Sequence, residues 1–459
     1  MANTVADQLT DMKAFYNTGT SRQYNFRKEQ LLKLRNTLLK YEEEVYNALY
    51  ADLGKNKEEA YATELGLVLA EINHTLKHLH NWMEPKSVGT TLVNLPSSSK
   101  IYRDSLGVVL IIAPWNYPLQ LLLLPLAGAI AGGNCVVLKP SELAPATATL
   151  IEKIITETFN PAYVKVFNGD GAEIVPRLMN EFRFDHIFYT GSVAIGKSIY
   201  KMAAEKLIPV TLELGGKSPA IVEADANLNV TARRVVLGKF LNAGQTCIAP
   251  DYLLVHKSIK DELVKCMIKT IEKFYTPDSS GSTEYGKIIT EKRFDKLISY
   301  LQQGNIIYGG RHDRSKLWIE PALLENVSID SPLMTEEIFG PVLPVISYET
   351  INEAIDIVQK NPNPLAFYLF TCSSTIEKLC MDRIHFGGGC INNTAWHFAN
   401  KQFPFGGVGN SGIGAYHGKH SFDVFTREKP VMKTPAWFDP DFKYPPMKGR
   451  LGLFKKFIN

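Results

Sequence analysis

Charge of either sign is barely in excess: Lys and Arg number 50 against 47 Asp and Glu, a formal net of +3. That excludes the broad basic field on which nucleic-acid binding relies. Cysteine is sparse, six in 459 residues (Cys135, Cys247, Cys266, Cys372, Cys380, Cys390), and no two form a C-x-x-C pair. Zinc ribbons and redox disulfides are excluded, and a reducing cytoplasm is the expected compartment. The opening stretch, MANTVADQLTDMKAFYN, carries Asp7 and Asp11 and lacks the basic start, apolar centre and small-residue cleavage site of an export signal. Internal repeats, low-complexity runs and long linkers are also missing.

What remains is an ordinary globular composition, 45% hydrophobic and 21% charged, long enough for roughly three lobes at ~150 residues each. Residues 105 to 138 contain no charged side chain, which by length alone would admit a membrane span. Pro114, Asn116, Pro118, Gln120, Pro125 and Asn134 argue against one, because they would break the helix or strand polar groups in lipid. The stretch divides instead into a strand (107 to 114), a buried helix (118 to 133) and a second strand (134 to 140). Such continuous apolar runs suit a parallel sheet covered on both faces.

Residues 22 to 53 place Phe26, Leu31, Leu34, Leu38, Val45, Leu49 and Leu53 at helical spacing, and 58 to 83 read as a second amphipathic helix. Residues 86 to 104 read as a hairpin leaving the main body. From 107 to about 222, GVVLIIA, CVVLK, YVKVFNG, HIFYTG and PVTLELGG alternate with helical stretches, which implies a doubly wound α/β sheet. A second α/β series follows with AIVEA, YLLVHK, IIYGG, PVLPVISY and AFYLFT, so two lobes should share a cleft. Ligands at such sheets gather beyond the carboxyl ends of strands. The last segment, PPMKGRLGLFKKFIN, sets Lys448, Arg450, Lys455 and Lys456 among Leu451, Leu453, Phe454, Phe457 and Ile458. This short basic amphipathic tail would dock on its own protein or a partner subunit, or touch an anionic lipid surface.

Residues after strand ends carry the candidate chemistry. Gly407, Gly409 and Gly412 spell G-x-G-x-x-G, yet no strand precedes them and no βαβ unit surrounds them. A better phosphate candidate is FYTGSVAIGKSIY, where Gly191 and Ser192 turn a strand into a helix that starts with Gly196 against the sheet; the alternative is a plain turn. Cys247, in FLNAGQTCIAP, sits in a polar interruption that marks a loop, and is either a nucleophile or a small buried hydrophobe. Glu213 ends an apolar strand just before Gly215 and Gly216, where a buried carboxylate needs a partner or a task. Asn116 follows the first core strand in a Pro-rigidified turn and could donate to an oxyanion or simply form the turn. Lys139, Glu142 and Glu337 also end apolar stretches, where each is either a site residue or ordinary surface charge. His74, His78 and His80 lie on one helix without H-E-x-x-H, so no metal site is expected.

Taken together, APWNYP, LKPSE, YTGSVAIG, LELGGKSP, NAGQTC, EEIFGP and PFGGVGNSG occur in the order found in the NAD(P)-dependent aldehyde dehydrogenase superfamily. The resemblance spans about residues 10 to 432, and GQTCIAPDYLL, the short N-terminus and the tail look most like class 3, with its aromatic and fatty aldehyde dehydrogenases. It implies a Rossmann-like cofactor lobe (1–86 and 106–212), a catalytic lobe (213–417), a small β bridging and oligomerisation element (87–105 and 418–432) and a tail (433–459). It further implies NAD or NADP as cofactor, a homodimer, and medium- or long-chain aliphatic or aromatic aldehydes as substrates.

By the same resemblance Cys247 is the nucleophile, Glu213 the general base, and Asn116 the oxyanion donor together with the Cys247 backbone N–H. Lys139 and Glu142 match positions near the adenosine ribose, Gly191 and Ser192 border the pyrophosphate, and Glu337 matches the residue that holds the nicotinamide ribose. Phe339 is matched beside the nicotinamide, and Trp115, Gly196, Leu214 and Gly215 complete the expected cofactor wall. Thiolate attack on an aldehyde gives a tetrahedral alkoxide that can lose hydride, leaving a thioester that water activated by Glu213 would hydrolyse. A cysteine esterase or acyltransferase using Cys247 and Glu213 without redox turnover is the rival reading, and a catalytically idle binding protein is the second.

Overall fold

The apolar runs between 107 and 214 form one sheet in the computed structural model, which describes residues 4–275 and 285–458. Its strands lie in the order Gly412–Ile413, Val210–Leu214, His186–Gly191, Val108–Ile112, Cys135–Lys139 and Val164–Val166. All pairings are parallel except the edge strand Gly412–Ile413, which runs antiparallel with Gly412 opposite Glu213. Chain direction across the sheet reverses between Val108–Ile112 and His186–Gly191, the switch point beyond which a doubly wound sheet opens a crevice. Register puts Ile112 beside both Lys139 and Tyr189, so the turns that follow these strands share one rim.

Every residue of Val108–Ile112 and Cys135–Lys139 is buried, as is every residue of the intervening helix Gln120–Gly132. An all-round apolar helix belongs inside a globule when helices cover it, and here Gly66–Met83 and Lys419–Val424 do so. The uncharged stretch 105–138 is therefore strand, helix, strand, and among the described residues no helix is long and apolar enough to cross a membrane.

A second sheet carries the later series: Asn305–Tyr308, Ala322–Glu325, Val342–Tyr348, Tyr252–His256, Pro219–Val222, Ala366–Phe370 and Gly388–Ile391. Alternation within Tyr252–His256 divides its core in two. Tyr252 and Leu254 join one apolar cluster and Leu253 and Val255 the other. Strands Lys86–Val88, Ser98–Ser105 and Thr426–Lys433 make a separate antiparallel sheet, so the hairpin expected from sequence gains a third strand from the far end of the chain.

Three readings need correction. Residues 22 to 53 are two helices, Tyr24–Lys40 and Glu42–Leu53, broken at Tyr41 (φ −101°, ψ 21°). Tyr41 is held there by Glu157, and Glu42, Glu43 and Glu44 then occupy a first turn, where carboxylates suit the positive helix end. The helix read over 58 to 83 contains a wide π turn at Tyr61–Leu65. Strands Ala322–Glu325 and Gly388–Ile391 went unread, the second because paired glycines have little strand propensity. In the tail, Leu451–Ile458 is helical and lies against the turn Leu92–Asn94 of the same chain; the side chains of Leu453, Phe457 and Ile458 lie outside the described residues.

Candidate active site

Beyond the strand ends a cleft of about 700 Å³ opens between the two large sheets. Twelve of the thirteen residues singled out from sequence line it, from Lys139 and Glu142 at one end to Cys247, Glu213 and Asn116 at the other. Gly196 stands behind the wall. A Cβ there would lie 2.7 Å from Leu214 Cδ2, so the glycine lets helix Val193–Glu205 close onto the sheet.

Cys247 rides on a loop that begins where helix Leu228–Phe240 ends. Asn242 and Ala243 both take φ +53°, a left-handed turn that costs a non-glycine residue about 1–3 kcal/mol and persists only where neighbours enforce it. Gln245 supplies that enforcement. Its Nε2 donates to Asn242 O (3.1 Å) and Lys287 O (3.0 Å), while its Oε1 accepts from Ile289 N (3.1 Å). Cys247 itself is half-buried, and burial, with the Glu337 and Glu213 carboxylates adding repulsion, pushes its thiol up to about 12.

Glu213 is 3% exposed, and neither carboxylate oxygen has a hydrogen-bond partner among the described residues. Burial alone drives its pKa well above the ordinary carboxylate range. An unpartnered buried carboxyl that lines a cleft has its charged form disfavoured and leaves its lone pairs open to something that enters. Asn116 is buried, and its Nδ2 donates to Gln245 O at 3.0 Å, leaving one amide hydrogen for a visitor.

The opposite end is paired. Lys139 Nζ donates to Pro140 O (2.7 Å) and to Glu142 Oε2 (2.9 Å). Ser192 caps helix Val193–Glu205, presenting its first amides to the cleft beside Gly191, where a Cβ would meet Tyr189 Oη at 2.3 Å. Between the ends, Glu337 accepts from Gly216 N (3.3 Å), and burial followed by Asp251 repulsion raises its pKa to about 8. A side chain at Gly215 would fall within 2.2 Å of Glu337 Oε2. Phe339, at φ +48°, meets Trp115 edge to face at 5.4 Å.

This donor set fits a nicotinamide dinucleotide. An amine and a carboxylate suit ribose hydroxyls, a glycine turn at a helix N-terminus suits a pyrophosphate, and a carboxylate beside two aromatic rings suits the second ribose and its base. Residues 4–431 match the aldehyde dehydrogenase family. The chain belongs to that family. It is 47% identical over 99% of both chains to 4,4'-diaponeurosporen-aldehyde dehydrogenase of Staphylococcus aureus. It is 39% identical to the dimeric NADP-preferring aldehyde dehydrogenase of Canis lupus familiaris, over 97% of this chain and 99% of that one. The solved substrate-bound state of Staphylococcus aureus AldH superposes with a TM-score of 0.97 at 46% identity, covering 100% of both chains. As an aldehyde dehydrogenase the chain oxidises an aldehyde to the corresponding acid, with NAD or NADP as cofactor.

Sequence reasoning missed several residues of this aldehyde dehydrogenase site. Asn242 and Gln245 lay inside the quoted NAGQTC motif but were noted only as a polar interruption. Tyr117, whose hydroxyl meets Thr246 Oγ1 at 2.6 Å, and Arg293, which donates to Ile338 O, gave no signal. Lys55 and Glu64 were not singled out either, yet both side chains are fully buried.

Proposed function

We propose that Cys247 is the nucleophile of the oxidation, Glu213 the base that activates the deacylating water, and Asn116 with the Cys247 N–H the donors to the aldehyde oxygen. The unpartnered Glu213 carboxyl in the wall that Cys247 also lines carries this reading. Burial disfavours the Cys247 thiolate at rest, so attack on the carbonyl carbon begins with loss of the thiol proton to solvent through the open cleft. The sulfur then bonds the carbonyl carbon, and the oxygen becomes an alkoxide facing Asn116, a donor worth ~3 kcal/mol in comparable sites. When bound, the nicotinamide ring supplies the two-electron acceptor that turns this adduct into a thioester. Glu213, once deprotonated, takes a proton from water as that water attacks the thioester, and Cys247 leaves as thiolate.

Lys139 and Glu142 would hold the adenosine ribose, Gly191 and Ser192 the pyrophosphate, and Glu337 the nicotinamide ribose, with Trp115, Leu214, Gly215 and Phe339 as wall and Gly196 behind it. On this reading 1–86 and 106–212 form the cofactor domain, 213–417 the catalytic domain, 87–105 and 418–432 the bridging element and 433–459 the tail. A cytoplasmic homodimer agrees with the free cysteines and with the dimeric relative.

The substrate is a long apolar aldehyde. Thr63, Tyr117, Leu121, Leu241, Phe398 and Phe405 line the same cleft as Cys247, a mostly apolar wall, and the Staphylococcus aureus relative is named for 4,4'-diaponeurosporen-aldehyde. Steady-state oxidation of straight-chain, aromatic and polyene aldehydes, with NAD and NADP in parallel, tests this. kcat/KM should climb with apolar length, and a preference for short or charged aldehydes would reject it.

A further inference from the structure

Beneath the turn that carries Asn116 lies a buried ion pair with no part in the scheme above. Lys55 Nζ and Glu64 Oε1 are 2.6 Å apart, and both side chains are fully inaccessible. Charges rarely sit so deep unless every lone pair and proton is used, and here the surplus goes to a single segment. Lys55 Nζ also donates to Asn116 O (3.1 Å) and stands 4.0 Å from the centre of the Tyr117 ring. Glu64 Oε2 accepts from Leu119 N (2.9 Å) and Gln120 N (3.2 Å). The two residues thus grip the main chain at 116, 119 and 120.

Local sequence explains how Glu64 gets there. It belongs to the π turn Tyr61–Leu65, which widens the helix by one residue before Gly66 donates to Tyr61 O. A Cβ on Gly66 would lie 2.7 Å from that oxygen, so glycine permits the turn. Wide turns of this kind are common at functional sites. This one sends Thr63 to the cleft wall and Glu64 under the oxyanion donor. Asn242 Nδ2 closes the arrangement by donating to Asn116 O (2.8 Å) and Gln245 O (3.2 Å), joining the gripped turn to the Cys247 loop.

We infer that Lys55 and Glu64 are positioning residues that fix the Asn116 amide, through the 116–120 main chain, at the place where alkoxide charge develops. The inference rests on the reading of Asn116 given above. Donor placement matters because a shift of about 1 Å remote from the chemistry can lower turnover ~10²-fold.

The test is a mutant cycle on the full-length enzyme with saturating cofactor, reading kcat, KM for aldehyde, cofactor affinity by protein fluorescence, and melting. Asn116→Ala should lower kcat by about 10²- to 10³-fold. Glu64→Gln should lower kcat by ~10- to 10²-fold, with aldehyde KM and cofactor affinity held within about twofold. Should that single variant fold poorly, Lys55→Met/Glu64→Gln removes both charges together and leaves neither stranded. On an Asn116→Ala background the same changes should cost less than about threefold more, since their target is gone. Additive losses, or lost cofactor affinity and melting with kcat intact, would overturn the positioning role alone. Full turnover by Asn116→Ala would instead overturn the donor reading.

Discussion

The two ends of the cleft treat charge in opposite ways. At the cofactor end Lys139 and Glu142 hold each other at 2.9 Å, and Ser192 is occupied as a helix cap. At the proposed reacting end the Glu213 carboxyl has no hydrogen-bond partner among the described residues, and the Cys247 thiol is pushed up to about 12. On the proposed roles, groups that only bind are satisfied in advance, whereas groups that make and break bonds are left in need. The difference teaches where stability has been given up, because an unpaired buried carboxyl opposes its own ionisation and so weighs against folding wherever the unfolded chain would be ionised there.

Substitutions at the two ends should therefore differ in kind. The largest effect is expected for Cys247→Ala, which should abolish aldehyde oxidation while cofactor binding, followed by fluorescence, persists. Turnover by the purified variant would remove Cys247 from the mechanism. Glu213→Gln should slow deacylation by about 10²-fold or more, so that acyl-enzyme accumulates and is visible by intact-protein mass spectrometry after quenching. An unchanged steady-state rate would contradict it.

The same variant separates function from stability. The folded-state pKa of Glu213 lies above its unfolded value, so its contribution to stability is whole below the unfolded pKa and is lost as pH rises through the folded one. Glu213→Gln should accordingly melt at increasingly higher temperature than the parent as pH is raised from 5 to 9; a constant difference across that range would show the carboxyl to be paired after all. The smallest effect belongs to the satisfied end. Glu142→Gln should shift the NADP-to-NAD ratio of kcat/KM several-fold toward NADP by removing a charge that repels a 2′-phosphate, on the order of 1 kcal/mol, with no change in melting.

This contrast also marks what the sequence reveals. Strand ends are legible because continuous apolar runs stop abruptly, and the residues at or just past those ends, Asn116, Lys139, Gly191 and Glu213, land on the cleft. Glu64 is illegible for the opposite reason: on an amphipathic helix a lone charge reads as solvent-facing, and only the π turn, which no periodicity reports, rotates it inward. Lys55 lies in the loop between Glu42–Leu53 and the helix that starts at Lys57, where no apolar run marks its burial. The break at Tyr41 escapes notice because apolar spacing continues across it, and Gly388–Ile391 because glycines carry no side-chain pattern.

Strand Gly412–Ile413 covers the outer edge of Val210–Leu214, with Gly412 opposite Glu213. The strand that presents the proposed base is thus completed by a segment made about two hundred residues later in the chain. Until residue 413 has left the ribosome, Val210–Leu214 is an open edge available to any neighbouring strand. A nascent chain stalled earlier leaves that edge unpaired, so the order of translation places completion of this sheet edge after residue 413.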